Sequence, residues 1–191
     1  MDEMIGLNES FKRLTPQGIM DLVFGQTESQ TNRMYILLDS VQRVRMFKSF
    51  RNRNGYWGIV NKLTDENLSD VISLLDNVQC NVFTKRHRNL KETFPRLDMH
   101  ARKNIINSQD GLARLNFVKK LGNIGHYYIL ESLPKREAVA YASLWSPQQY
   151  DEFANSLNDD QLKKMSSIFT EAEPTILRNI SGRTTRSGFI K

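Results

Sequence analysis

The residues of this chain best suited to bind a ligand are cations gathered in two segments. Residues 47–58, FKSFRNRNGYWG, place four aromatic side chains and three cations around an Asn-Gly pair without any acid. Residues 85–91, KRHRNLK, add four more Lys or Arg side chains. Lys and Arg neutralise phosphates and release the counterions of a polyanion. The chemistry that these residue types predict is therefore binding of a phosphate backbone.

We predict three groups of phosphate-binding cations: one in and just before the first basic segment, one in the second segment and one at the C-terminal end of the chain. Because no acid lies between residues 40 and 64, we expect the cations of that stretch to remain mostly solvated. The cations are Arg43, Arg45, Lys48, Arg51 and Arg53 in the first group, Lys85, Arg86 and Arg88 in the second, and Arg183 and Arg186 in the third. Near the second group, Arg96, Arg102 and Lys103 extend the possible track.

The aromatic residues of the opening segment have two interpretations. Phe50, Tyr56 or Trp57 stacks on an unpaired base, which contributes about 1–3 kcal/mol per base. Alternatively the rings pack in the core and only the cations reach water, and we favour this placement for Phe47 and Trp57.

The charge of the chain is regional. The net charge is +6 overall, with −3 in residues 1–32, +7 in 33–103, +1 in 104–133, −3 in 134–175 and +4 in 176–191. A basic region between acidic ones is typical of a protein that attracts polyanions, although many basic surfaces are simply solvated. Acidic and basic surfaces on one chain also predict head-to-tail self-association.

Signals for catalysis or metal binding are weak. His87, His100 and His126 are too scattered for a zinc site, and a single Cys80 late in an amphipathic segment is typical of a buried thiol. The Gly-x-x-Gly step in KKLGNIGHYY, residues 119–128, is similar to the backbone clamp of KH domains, but a helix end followed by a turn explains it better. We therefore expect no enzyme activity, no cofactor and no metal.

The fold signals are helical. Helix-start patterns occur at Thr15, Thr64, Ser146 and Asn158, and apolar residues recur at helical spacing between them. The sequence predicts an all-α protein of eight to ten helices, with a short antiparallel array in its C-terminal part. HYYIL, residues 126–130, is the one segment that fits a strand as well as a buried helix.

The predicted organisation has three parts: a basic N-terminal helical region, 1–108, a C-terminal helical region, 109–180, and a flexible basic tail, 181–191, with the seam placed between 108 and 134. The tail binds a polyanion or a partner subunit, or only improves solubility.

Two internal similarities suggest duplicated helical units. LLDSVQ at 37–42 returns as LLDNVQ at 74–79, and LTDENLSDVISLL at 63–75 resembles LNDDQLKKMSSIF at 157–169. In the first copy the apolar stripe changes sides after Val41, so the helix must kink, end early or turn its Phe residues toward a second surface.

Together these observations predict an intracellular protein, cytoplasmic or nuclear and not secreted, that binds nucleic acid, RNA in preference to DNA. Viruses and mobile genetic elements often encode compact, basic, helical proteins of this size, and by this analogy alone we expect an oligomer of that type. The alternative is a helical adaptor or scaffold that binds an acidic protein partner. Neither a membrane nor a small-molecule substrate is indicated.

Overall fold

In a computed structural model, the described residues are 2–52, 56–142 and 145–169, and short connections join their helices. This part of the chain holds fourteen α-helices, two short 3-10 turns at Phe50–Asn52 and Phe94–Arg96, and no strand. The helices are α1 Asp2–Arg13, α2 Pro16–Phe24, α3 Glu28–Leu37, α4 Ser40–Ser49, α5 Trp57–Val60, α6 Asp65–Ser73, α7 Asn77–Arg86, α8 Leu90–Thr93, α9 Met99–Asn107, α10 Gly111–Leu121, α11 Asn123–Ser132, α12 Lys135–Ala142, α13 Pro147–Ser156 and α14 Asp159–Phe169. The all-α prediction is confirmed, and the HYYIL segment belongs to α11.

The predicted number of helices, eight to ten, is wrong because the chain turns more often than its prolines and glycines indicate. Leu38 is extended between α3 and α4, and the Asp39 carboxylate accepts a hydrogen bond from the Gln42 amide at 2.8 Å. The helix that the sequence predicted through Val41 therefore ends at Leu37, as α3, and a new helix, α4, begins at Ser40. This break is why the apolar stripe changes sides. In addition, α5 and α8 have four residues each, and one turn is too short to show a period.

Eleven of the fourteen described helices begin at intervals of twelve residues within three successive groups. A helix of about ten residues is roughly 15 Å long, and a connection of two or three residues completes the interval. Nine of the eleven start positions carry Ser, Thr, Asp or Asn, whose side chain accepts a hydrogen bond from the amide three residues on. The positions are Thr15, Thr27 and Asp39, then Thr64 and Asp76, then Asp98, Asp110, Gly122, Pro134, Ser146 and Asn158.

The chain divides into two compact units, Met1–Arg114 and Leu115–Lys191. The division falls within α10. The predicted tail, 181–191, lies outside the described residues.

The core of the first unit holds an aromatic cluster that joins the ends of α4 and α7. Phe47 stacks on Tyr56 with ring centroids 4.7 Å apart, and Phe83 contacts both rings at 5.6 and 5.2 Å. All three side chains are buried, so the core placement predicted for Phe47 is confirmed. The cluster holds the last turn of α7 next to the turn that follows α4.

In the second unit, α11 packs against α12, α13 and α14.

The Gly-x-x-Gly step is a helix break at Gly122 followed by a close approach of the Gly125 backbone to the Leu121 side chain. Gly122 has φ of 69° just after α10, and a Cβ on Gly125 would lie 2.8 Å from the Leu121 Cβ. No strand flanks the step in the described residues, and α10 ends just before Gly122 as the helix-end interpretation expects. The turn expected near Gly125 is wrong, because Gly125 lies within α11.

Candidate polyanion-binding surface

Arg43 is committed to the fold of the first unit. Its guanidinium forms an ion pair with Asp70 at 3.0 Å and donates to the carbonyls of Leu38 at 2.8 Å and Ile36 at 2.9 Å. It also lies 5.0 Å from the ring centroid of Tyr35. The side chain therefore satisfies carbonyls at the end of α3 that have no partner within the helix.

Arg45 has a similar structural role at the end of α1. Its guanidinium donates to the carbonyl of Phe11 at 2.6 Å and also to the carbonyl of Leu14. The expectation that the cations of residues 40–64 stay mostly solvated is thus wrong for Arg43 and Arg45. The compensating acid and carbonyls come from other helices, which the composition of the segment does not show.

Lys48 and Arg51 remain available to a ligand. Both line a groove of about 590 Å³, and neither side chain forms an ion pair or hydrogen bond with another described residue. Arg51 is exposed and Lys48 is half-buried. Asp76 also lines the groove, but its carboxylate already accepts the Gln79 amide at 2.8 Å as the cap of α7.

The second basic segment lies next to the first. The Arg86 guanidinium donates a hydrogen bond of 3.1 Å to the backbone carbonyl of Arg51, across 35 positions of sequence. Lys85, Arg86 and Arg88 are all exposed. This hydrogen bond places Arg86 at the end of α7 beside the turn after α4. We define the candidate surface as Lys48, Arg51, Lys85, Arg86 and Arg88.

Three predicted binding cations, Arg53, Arg183 and Arg186, lie outside the described residues. Arg96, part of the possible extension, forms an ion pair with Asp65 at 2.8 Å, and Arg102 donates to the Pro95 carbonyl at 2.8 Å. These contacts leave Arg96 and Arg102 less suited than Arg51 to meet a phosphate.

Of the three aromatic residues predicted to stack on bases, two have no accessible face. Phe50 and Tyr56 are 0% and 1% exposed, because Phe50 packs edge-on against Phe24 and Tyr56 belongs to the aromatic cluster. Trp57 is 39% exposed, so its expected core placement is only partly correct. The Trp57 ring stacks on the buried His87 with centroids 6.2 Å apart.

Burial shifts the pKa of Cys80 and of the half-buried His126. Burial raises the pKa of the Cys80 thiol to about 12, which keeps it protonated. Burial lowers the pKa of His126, whose Nδ1 lies 2.9 Å from the Tyr141 hydroxyl. The described residues include no cluster of three or more His, Cys, Asp or Glu side chains arranged to hold a metal ion.

Sequence reasoning missed the aliphatic side of the groove. Val41 and Leu74 line it and are 68% and 39% exposed, and Val44 lies beside them. The repeated LLD-x-VQ pattern could have indicated an aliphatic surface residue, because it places a valine in the first turn after each Asp cap.

No protein-family model matches the chain, and neither curated proteins nor solved structures show a significant similarity to it. Among the described helices, none combines the length and the apolar character that crossing a membrane requires.

Proposed function

We propose that the first unit binds nucleic acid through its phosphate backbone, with RNA preferred over DNA, and that the protein catalyses no reaction. The observation that carries this proposal is the hydrogen bond from Arg86 to the Arg51 carbonyl. It supports a single continuous surface in place of two separate basic segments. Five cations on that surface can neutralise several adjacent phosphates.

The helix dipole accounts for only part of this concentration of charge. A cation in the last turn of a helix is stabilised by the dipole, and this covers Lys48, Lys85 and Arg86. Arg51 lies in the 3-10 turn that continues α4, and Arg88 lies two residues beyond the end of α7, outside its last turn. Both side chains are exposed, and neither has a partner among the described residues.

Trp57 supports a target with unpaired bases, which RNA offers in its loops and bulges. Sequence-tolerant binding of single-stranded RNA combines a basic track with aromatic rings on which bases stack. The partly exposed Trp57 ring lies on His87, the residue between Arg86 and Arg88, so a ring and phosphate-binding cations are neighbours.

The test is a titration of labelled single-stranded and duplex RNA and DNA with wild-type protein at two salt concentrations. Because the Arg86 guanidinium donates to the Arg51 carbonyl, the other four cations supply the phosphate contacts. Four contacts predict that the logarithm of the affinity falls with the logarithm of salt with a slope of about −2.8 for single strands. Lys48→Glu/Arg51→Glu should lose most of the affinity. Arg136→Glu/Lys163→Glu, which makes the same charge change at exposed positions of the second unit, should keep it. A salt-independent affinity, or equal losses in both variants, would contradict the proposal.

A second function is favoured by the aliphatic side of the groove. Phosphates gain nothing from Val41 and Leu74, whereas an acidic amphipathic helix of a partner protein would place apolar residues there and carboxylates against Lys48 and Arg51. Val41→Ser/Leu74→Ser separates the two functions, because it should leave RNA affinity unchanged and weaken only a protein complex.

A further inference from the structure

The two basic segments are copies of one short pattern. A shift of 37 residues superposes Lys-Ser-Phe-Arg-Asn at 48–52 on Lys-Arg-His-Arg-Asn at 85–89, so the Lys, the Arg and the Asn coincide. The same shift superposes LLDSVQ on LLDNVQ. The two basic segments therefore belong to a longer repeated unit.

The repeat is visible in the structure. Thr27 and Thr64 cap the first helix of each copy, and Asp39 and Asp76 cap the second. Exposure follows the same register: Leu38 and Leu75 are buried, at 1% and 4%, while Val41 and Val78 are 68% and 72% exposed. These two pairs of equivalent positions thus have equivalent exposure.

The basic ends of the copies share a buried ring but differ in backbone: Phe50 is in the right-handed helical region and begins a 3-10 turn, whereas His87 is extended. The middle residue of each pattern, Phe50 or His87, is 0% exposed and caps the C-terminus of its helix. Phe50 is held by Phe24 at 5.4 Å, and His87 by Phe83 at 5.1 Å. Because the buried ring anchors the backbone, it fixes the position from which the following, exposed Arg side chain extends into solvent.

The copies differ at one informative position. Arg86 takes the place of Ser49, and the Arg86 guanidinium reaches the Arg51 carbonyl of the other copy. The Arg86 side chain therefore links residues 85–89 to residues 48–52. The two basic segments are in contact with each other as well as at equivalent positions of the repeat.

We propose that residues 48–52 and 85–89 are duplicate half-sites that bind successive phosphates of one nucleic-acid backbone. The inference rests on the proposed function and specifies its ligand as a polymer that reaches both half-sites. Each half-site alone binds weakly, and the second contact gains from its high effective concentration once the first is made.

The experiment compares Lys48→Gln/Arg51→Gln, Lys85→Gln/Arg88→Gln and the fourfold variant, using an RNA oligonucleotide long enough to span both segments. Each double variant should weaken binding about tenfold and lower the magnitude of the salt slope by about 1.4, the value for two phosphate contacts on single strands. The two double variants should match each other, and the fourfold variant should lose the product of their effects or more. Arg136→Gln/Lys163→Gln is the matched control, and circular dichroism melting checks that every variant is folded.

The outcomes separate this inference from the proposed function. If the Lys48/Arg51 variant loses affinity while the folded Lys85/Arg88 variant binds like wild type, the half-sites are not duplicates and the proposed function stands. If wild-type protein binds no RNA or DNA at low salt, both proposals fail. Matching losses in the two double variants, with the control unchanged, establish the duplicate half-sites.

Discussion

The phenolic hydroxyl of Tyr35 donates a hydrogen bond of 2.5 Å to the carboxylate of Asp70 and thereby ties α3 to α6. The same carboxylate oxygen pairs with the guanidinium of Arg43 at 3.0 Å. Burial, and then the hydrogen bond to Asp70, raise the pKa of the Tyr35 phenol, which keeps the group neutral and able to donate. One acid therefore holds two side chains from different helices.

Asp70→Asn should destabilise the first unit by about 1–2 kcal/mol, because Arg43 loses its only ion-pair partner among the described residues and Tyr35 loses a charged acceptor. We keep the figure small because the Asp70 side chain is 42% exposed and solvent screens the pair. Urea denaturation measures the change. Glu9→Gln removes an exposed ion pair with Lys12 and should behave like wild type, so equal destabilisation by both substitutions would count against the role given to Asp70.

Arg45→Met should loosen the end of α1. The substitution keeps much of the side-chain volume but removes the donors to the carbonyls of Phe11 and Leu14, at a cost of about 1–2 kcal/mol. Hydrogen exchange should show faster exchange of the α1 amides. Arg33→Met, at an exposed position of α3, is the control, and unchanged protection of α1 in the Arg45 variant would refute the assignment.

Acidification should destabilise the protein through His126. Burial lowers the folded-state pKa of this imidazole below its ordinary value of 6.5, so the unfolded chain binds the proton more tightly. The free energy of unfolding therefore falls as pH drops through 6.5 and until the folded-state pKa is passed. Urea denaturation on either side of pH 6.5 tests this. His126→Asn should reduce the pH dependence, and an identical dependence in the variant would show that other groups cause it.

Gly125→Ala should be destabilising, because the new Cβ would lie 2.8 Å from the Leu121 Cβ and helix packing in the second unit must shift. We expect a cost of about 1–3 kcal/mol, typical of overpacking. The same substitution at Gly6 in α1 meets nothing within 4 Å and should stabilise by about 0.5–1 kcal/mol through helix propensity. Thermal melting compares the two, and a Gly125→Ala protein as stable as wild type would contradict the close approach.

Much of the fold could be predicted because helix starts are local. Thr15, Thr64, Ser146 and Asn158 all act as caps as predicted, since a capping side chain needs only the amide three residues on. The start at Asp39 was missed because no proline or glycine marks it, and that omission lowered the predicted number of helices.

The candidate surface was harder to predict because cations of the same type have different roles in the structure. Arg43 and Arg51 look alike in the sequence, yet Arg43 pairs with Asp70 while Arg51 faces a groove without a described partner. Likewise Phe50 and Trp57 both flank the Asn-Gly pair, and only Trp57 keeps an exposed ring.

The sequence by itself determined the helical character of the chain, the start of many of its helices and the two basic segments, because capping, periodicity and charge are properties of neighbouring residues. Only the tertiary structure decided which cations remain available and whether the two segments meet. The partners of Arg43 and Arg45 lie 27 and 34 positions away, and Arg86 reaches Arg51 across 35. Contacts at such separations depend on how helices pack, which local spacing does not specify.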